Sequence, residues 1–181
     1  MGKYFSHFPT MFYDAVQDGT SSPKVVTDIL RRVKVRNEIR NNVAAFSSYR
    51  VPAGDRPEDV SYKFYGTVDY YWIVLLMNNI KDRFYDWPLS DSAFETFVNE
   101  KYAEPGAIHH YEKTQLSGDQ TGNGPGDYSH KIEVNSTDPD AQSVSNYEYE
   151  SRLQDQKRQI KLLDKGYLNT FVEEFERLVQ R

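Results

Sequence analysis

The sequence predicts an α+β fold: a small strand–helix–helix–strand module with an N-terminal arm, a projecting β-hairpin and C-terminal helices. Three observations predict it. Residues 48–89 pass from a β-prone run through a Pro/Gly turn into two helical patterns. Residues 108–134 hold two β-prone runs around a Gly-rich segment, which is typical of a hairpin. Near the C-terminus, apolar residues recur at helical spacing, namely Leu168, Phe171, Val172, Phe175, Leu178 and Val179.

The module begins with a β-prone run at residues 49–51. Pro57 then suits the first turn of a helix, and two acidic residues follow it at the positive end of the helix dipole. Gly66 is placed to end this helix in a left-handed conformation. A second, largely apolar helix is predicted from about residue 69 to Asn78, and residues 83–89 are expected to supply the second strand. The predicted core includes Phe64, Trp72, Leu75 and Leu76.

The amino-acid sequence of this module resembles that of a known protein family. "RPEDVSYKFYG" followed by "DYYWIVLLMNNI" resembles the LysM-containing baseplate wedge subunit of contractile-tailed bacteriophages, and "QKRQIKLL" and "GYLNTFVEEFERL" near the C-terminus extend the resemblance. It implies a βααβ LysM-like module at about residues 48–89 and specific matching positions. These partner-contact or module-core candidates are Tyr49, Arg56, Pro57, Tyr65, Gly66, Tyr70, Tyr71, Trp72, Leu75, Asn78, Asn79, Tyr85 and Trp87, joined by Phe171 and Phe175 of the C-terminal stripe.

The resemblance also implies a function. It predicts a non-enzymatic structural protein of the virion, which joins neighbouring wedges and locks the tail baseplate by protein–protein packing. The expected partners are other wedge subunits, with the tail hub as a further candidate. Several copies would enter one ring, after assembly in the host cytoplasm.

The alternative is a LysM-type module that binds peptidoglycan and serves cell-wall recognition or degradation. Three departures disfavour it. Sugar-binding modules usually carry Thr-Leu after Gly-Asp, whereas this chain reads "VPAGDRPEDV". Their closing Gly-x-x-Leu-x-Ile-Pro is replaced by "YDWPLS", and the second helix is unusually aromatic. The sequence therefore favours assembly over glycan binding.

Composition restricts the partners. The formal net charge is −5, which argues against nucleic acid, because binding to phosphates depends on clustered Lys and Arg. The chain has no cysteine, so a disulfide framework is excluded. Its longest apolar run, residues 70–77, is far shorter than the ~20 residues that span a bilayer, and residues 1–20 lack an apolar export signal. We expect no membrane partner.

Chemical motifs for catalysis or metal binding are weak. His109 and His110 should point to opposite sides of a strand, so they should not chelate one ion together. His130 could meet one of them across the hairpin, but no third ligand is evident. The Gly-rich residues 118–126 lack the Gly-Lys-Ser/Thr ending of a phosphate loop. The carboxylates beside the module are explained by solvation and by helix dipoles. We expect no enzyme activity, no cofactor and no metal.

The remaining segments complete the predicted organisation. It comprises an N-terminal arm and helix or strand (1–47), the module with its following helix (48–102), a hairpin and linker (103–146) and a C-terminal helical segment (147–181). Residues 25–39 fit a helical face, with a strand as the competitor. Residues 138–145 are expected to be a polar linker and 159–163 extended. Apolar residues in the arm (1–23), the hairpin and the last helix exceed what one small module can cover, so partners are expected to cover them.

Overall fold

The computed structural model describes residues 3–14, 16, 22–35, 43–115 and 127–180, and it is a mixed α+β structure, as predicted. The chain forms two compact units. Unit 1 combines Met1–Pro88 with Lys157–Arg181, and unit 2 is Leu89–Gln156. In the part of the chain that is described, each helix is too short or too polar to cross a membrane.

Unit 1 contains four strands and three α-helices among its described residues. The strands are β1 (Thr10–Tyr13), β2 (Lys24–Thr27), β3 (Phe46–Arg50) and β7 (Gln159–Leu163). The helices are α1 (Pro57–Tyr65), α2 (Tyr71–Met77) and α5 (Leu168–Val179). Short 3₁₀ turns lie at Lys3–His7, Val43–Ala45, Val68–Tyr70 and Lys165–Tyr167.

The sheet at the centre of unit 1 pairs β3 with β7 in antiparallel register, with Phe46 opposite Leu163 and Arg50 opposite Gln159. Residues 159–163 are extended as predicted, but the contiguous strand–helix–helix–strand module predicted at about residues 48–89 is not formed. The expected second strand at residues 83–89 is wrong: those residues form turns, and the partner strand comes from near the C-terminus. Two Asp carboxylates there bond to backbone N–H groups, and this favours a turn over a ladder.

The start and end of α1 follow its sequence signals. Pro57 opens the helix, and the Asp59 carboxylate accepts a hydrogen bond from the Arg56 N–H at 2.9 Å. Gly66 ends it with φ +82°, a conformation that favours glycine, and its N–H donates to the Tyr62 carbonyl. Asn79, just beyond α2, also has a positive φ, of +54°. The two predicted helices of the module are confirmed.

Two hydrophobic clusters hold unit 1 together. The first joins the 3₁₀ turn at Lys3–His7 to α2, β7 and α5, and its buried members are Phe8, Val35, Trp72, Ile73, Met77, Leu163, Leu168, Phe175 and Val179. The second lies around Val51, Val60, Val74, Trp87, Ile160 and Leu162. Of the predicted core, Trp72 is fully buried, while Phe64, Leu75 and Leu76 are half-buried at the cluster margins.

The first cluster corrects an expectation about the arm and the last helix. Their apolar residues were expected to need partners, but Phe8 of the arm and Phe175 of α5 are buried within the chain itself. The arm, α2 and β7 cover part of the α5 stripe, whereas Leu178 of the same stripe stays exposed. The rest of the arm is exposed as expected, at Phe5 and in β1, and further exposed apolar residues lie in β2 and the residues that follow.

Residues 22–35 are not helical. Residues 24–27 form β2, which pairs antiparallel with β1, Met11 lying opposite Val26. Residues 28–35 continue without a helix, and positions 36–39 lie outside the described residues. The predicted helix is absent from residues 25–35, and the competing strand is present only as far as Thr27, where β-branched Val25 and Val26 suit a ladder.

Unit 2 packs two helices with a three-stranded antiparallel sheet. The helices are α3 (Asp91–Lys101) and α4 (Asn146–Arg158), whose last two residues belong to unit 1. The strands are β4 (Ile108–Thr114), β5 (Lys131–Val134) and β6 (Gln142–Ser145), in the order β5-β4-β6. The predicted hairpin is confirmed as β4–β5, and most of its predicted tip lies outside the described residues. The predicted polar linker is wrong in part, because Val144 is buried and β6 pairs with β4.

Candidate partner-binding surfaces

The aromatic candidates of α2 and α5 lie together in the interior. The Trp72 ring lies 4.5 Å from Phe175 and 6.1 Å from Phe171, measured between ring centroids. Tyr4 of the arm packs 5.6 Å from Trp72. A hydrogen bond of 2.7 Å between His7 Nδ1 and Glu176 Oε1 adds a polar link between the arm and α5. These rings stabilise unit 1, and Trp72 and Phe175 are covered by the chain itself.

Tyr65 and Asn78 both close one side of the central sheet. The Tyr65 hydroxyl donates to the Leu163 carbonyl at 3.0 Å, and burial raises the pKa of this phenol. Asn78 bonds to both backbone groups of Lys161: its Oδ1 accepts from the N–H at 2.9 Å and its Nδ2 donates to the carbonyl at 2.8 Å. These two candidates therefore bind the outer edge of β7.

The other candidates in and around the two module helices have varied surroundings. Pro57 is buried, whereas Arg56 and Gly66 are exposed at the two ends of α1. Tyr49, Tyr70 and Tyr71 are half-buried against the hydrophobic clusters. Burial raises the pKa of Tyr71. Trp87 is buried, and its indole N–H donates to the Asp55 carbonyl at 2.8 Å. As partner contacts, these positions stay predictions.

The most exposed aromatic candidate, Tyr85, lies in a well-defined turn. Residues 81–86, here named the aromatic turn, display Phe84 at 79% exposure and Tyr85 at 77%. The Asp82 Oδ1 accepts from the N–H groups of both aromatic residues, at 2.7 and 3.3 Å. The Asp86 Oδ2 accepts from the Lys81 and Asp82 N–H groups at 3.0 Å, and these bonds hold the pKa of Asp86 below its usual range.

Two side chains from elsewhere in unit 1 fix the aromatic turn further. Arg83 donates to Glu58 of α1 at 3.1 Å, and Lys157 donates to the Tyr85 carbonyl at 2.6 Å. The backbone is therefore held while both rings face solvent. An exposed aromatic pair on a fixed backbone binds a protein surface with little loss of conformational entropy.

A second apolar surface lies on the N-terminal hairpin, formed by β1 and β2. Its exposed residues, together with those just after it, are Phe12, Tyr13, Val25, Val26, Ile29 and Leu30, of which Phe12 and Leu30 reach 76% and 81% exposure. A separate groove of about 330 Å³ runs between residues 33–35 and one side of α5. Apolar patches of this kind mark interaction sites on soluble proteins.

Two buried carboxylates, those of Glu112 and Glu150, link the strands and helices of unit 2 through hydrogen bonds. Glu112 of β4 is nearly inaccessible and receives two bonds from the Arg152 guanidinium, at 2.7 and 2.9 Å, and one from Lys131. Arg152 lowers the pKa of Glu112 from 4.5 to about 2. Burial acts to raise the pKa of Glu150, but bonds from Lys101 and Tyr102 outweigh it and lower that pKa.

The histidine pair differs from the prediction. The register of β4 against β6 shifts between Ile108 and His110, and this irregularity brings both imidazoles together, with 2.9 Å between their Nδ1 atoms. Strand alternation had predicted opposite sides. The His109 ring also stacks on the Tyr149 ring, with 4.0 Å between the ring centroids. Over the described ranges, no group of three or more His, Asp or Glu side chains is arranged to hold a metal ion.

A comparison with known families decides the class of protein. A family model described as "Base plate wedge protein 53" matches residues 4–117, which is more than half of the chain. The chain belongs to this family. "Baseplate wedge protein gp53" of Enterobacteria phage T4 is 23% identical over 192 residues, covering 98% of this chain and 96% of the relative. The prediction of a phage baseplate wedge protein is confirmed.

The sequence of this base plate wedge protein marked Tyr85 but not Phe84, and it missed the N-terminal hairpin. Asp82 and Asp86 could have predicted the aromatic turn, because Asp side chains commonly accept hydrogen bonds from nearby backbone N–H groups in turns. For the hairpin, the pair Val25 and Val26 favoured a strand over the helix that was preferred.

Proposed function

We propose that this base plate wedge protein is a non-enzymatic structural part of the tail baseplate, where it joins neighbouring wedges through protein–protein packing. The aromatic turn carries the proposal, because Phe84 and Tyr85 are exposed on a backbone held by six hydrogen bonds and one ion pair. Aromatic residues dominate the binding energy of protein interfaces. Partners are other wedge subunits, and the tail hub is a further candidate.

The proposal also assigns a role to each segment of the chain and a location to its assembly. Strand β3, helices α1 and α2 and strand β7 act as a LysM-like module recruited for assembly. The predicted arm (1–47) and hairpin segment (103–146) serve as attachment parts around it. The protein enters the ring in several copies, after assembly in the host cytoplasm.

The proposal is tested by removing the two exposed rings. The double variant Phe84→Ala/Tyr85→Ala, expressed in cells infected with a phage that lacks its own copy of this protein, should reduce completed baseplates at least about tenfold, as expected for the loss of two interface anchors. Baseplates are counted after gradient sedimentation. The matched control is Phe84→Tyr/Tyr85→Phe, which keeps both rings and every backbone bond.

The free variant should keep its melting temperature, because both rings are solvated. Normal baseplate yield from the double Ala variant would contradict the role of the aromatic turn. Complete baseplates that contain none of this chain would contradict the proposed function itself.

A further inference from the structure

The central sheet of unit 1 has two edges, and its register shows which backbone groups face each one. Val51 donates its N–H to the Arg158 carbonyl, and Asp164 donates to the Ala45 carbonyl. In an antiparallel pair, alternate residues bond inward and the others face outward. Ser47 and Tyr49 therefore bond to β7, whereas Phe46 and Ser48 direct their N–H and carbonyl groups to the free edge of β3.

The opposite edge, that of β7, is closed by side chains. Asn78 occupies both backbone groups of Lys161, and Tyr65 occupies the carbonyl of Leu163. A side-chain amide that donates and accepts in this way replaces the backbone of a neighbouring strand. No further strand can pair at Lys161 without displacing it.

At Phe46 and Ser48, the outer edge of β3 is not closed in this way. Among the described residues, none bonds to the outward backbone groups of Phe46 or Ser48, and the Ser48 side chain is exposed. Strand β3 contains no Pro and no bulge, which are among the devices that protect an edge from pairing, and its one charged residue, Arg50, lies at its C-terminal end, beyond Phe46 and Ser48. The sheet is therefore protected against pairing with a further strand at the β7 edge but not at Phe46 and Ser48 of β3.

Strand β3 is also a fixed template. Phe46 packs against the first hydrophobic cluster of unit 1 and Tyr49 against the second, so the backbone between them is held on both sides. The N-terminal hairpin differs, since β2 exposes all four of its side chains. A preorganised edge binds without an ordering cost of its own.

We propose that the free edge of β3 receives an extended segment of a neighbouring baseplate protein, which adds to the sheet as a third strand. This inference rests on the proposed function. Outward N–H and carbonyl groups two residues apart, at Phe46 and Ser48, are complementary to the backbone of an extended polypeptide, and main-chain bonds of this kind supply the affinity in strand addition.

Hydrogen exchange at single-residue resolution tests the inference on the free full-length chain and on purified baseplates that contain it. The amides of Phe46 and Ser48 should exchange fast in the free chain and be protected in the baseplate. The amides of Ser47 and Tyr49 are the internal control, because β7 protects them in both states. Fast exchange of Ser48 in baseplates that contain the chain would overturn the inference and leave the proposed function standing.

A pair of variants gives an independent readout. Ser48→Pro removes an outward N–H and places a ring on the free edge, and it leaves the bonds between β3 and β7 intact. It should lower incorporation into baseplates about tenfold, whereas Ser48→Ala should incorporate like the wild type. Equal incorporation of the two variants would overturn the inference.

The remaining outcomes are also decisive. If Ser48→Pro lowers the melting temperature strongly, the exchange measurement on the wild-type chain decides alone. A free chain that sediments as a dimer, and as a monomer when Ser48 is replaced by Pro, would show that a second copy occupies the edge and would overturn the proposal of a different protein.

Discussion

At the scale of single residues, Trp72 joins the arm, α2 and α5. It is 3% exposed, and its ring contacts those of Tyr4, His7, Phe171 and Phe175. Trp72→Ala should lower the free energy of unfolding by about 3–5 kcal/mol, the range for a large buried aromatic residue. Urea denaturation measures this. The control Phe84→Ala, at an exposed ring, should change it by less than about 0.5 kcal/mol. A similar loss in both variants would contradict the central position of Trp72.

Asn78 shows that one residue can serve two elements. The sequence identified it as the stop of α2, and it also bonds to both backbone groups of Lys161. Asn78→Asp keeps the acceptor but removes the donor to the Lys161 carbonyl, so we expect a loss of about 1–3 kcal/mol in the free energy of unfolding. Asn79→Gly is the matched control. It suits the positive φ of that position and should be nearly neutral. A loss for Asn79→Gly as large as that for Asn78→Asp would count against the Asn78 bonds.

At the scale of elements, the contact between β4 and α4 should respond to acid. The pKa of Glu112 is about 2 in the folded chain, below its ordinary value of 4.5. The folded state therefore gains stability from this carboxylate above about pH 4.5, and loses it as the pH falls from 4.5 towards 2. The loss should reach roughly 2–3 kcal/mol.

The measurement is hydrogen exchange of the β4 amides between pH 5 and pH 3, corrected for the intrinsic rate. In Glu112→Gln the protection should already be low at pH 5 and should fall less on acidification. Glu95→Gln, at an exposed position of α3, is the control and should behave like the wild type. An unchanged acid response in Glu112→Gln would refute the role assigned to Glu112.

The helices of unit 1 were predictable because their limits are local. Pro57, Gly66 and Asn78 stop or start an element through their own backbone chemistry or side-chain bonds. The second strand was not predictable in this way, since pairing of β3 with β7 depends on residues far apart in sequence. Residues 83–89 contain three aromatic side chains, which favour a strand, but the carboxylates of Asp82 and Asp86 accept hydrogen bonds from backbone N–H groups there and form a turn instead.

Contacts between residues that are far apart in the sequence also decide which candidate residues are exposed, and local sequence patterns do not predict those contacts. The family resemblance selected Trp72 and the apolar stripe of the last helix selected Phe175, and the structure places their rings side by side. The sequence could not show that Phe84 is exposed while Trp87, three residues later, is buried. His109 and His110 were misplaced because a register shift is a tertiary feature.

At the scale of the whole molecule, the glycan-binding alternative predicts a property that assembly does not require. No finding supports that alternative. We expect the purified full-length chain to show no saturable binding to peptidoglycan fragments at about millimolar concentration, which corresponds to less than ~4 kcal/mol of binding free energy. Isothermal titration calorimetry measures this, with a LysM module of known glycan affinity as the positive control. Saturable binding that is lost on replacing residues of α1 or α2 would favour the cell-wall reading.

The pairing of β3 with β7 also has a consequence for the order of synthesis. Strand β3 leaves the ribosome while unit 2, α4 and β7 are still untranslated, so its ladder cannot form at that stage. Unit 2 is contiguous in sequence and can fold first. Leu162, which is fully buried in the finished sheet, is added only after all of unit 2. A prematurely terminated copy lacks β7 and cannot complete unit 1. The central sheet of unit 1 therefore forms only after β7 has been translated.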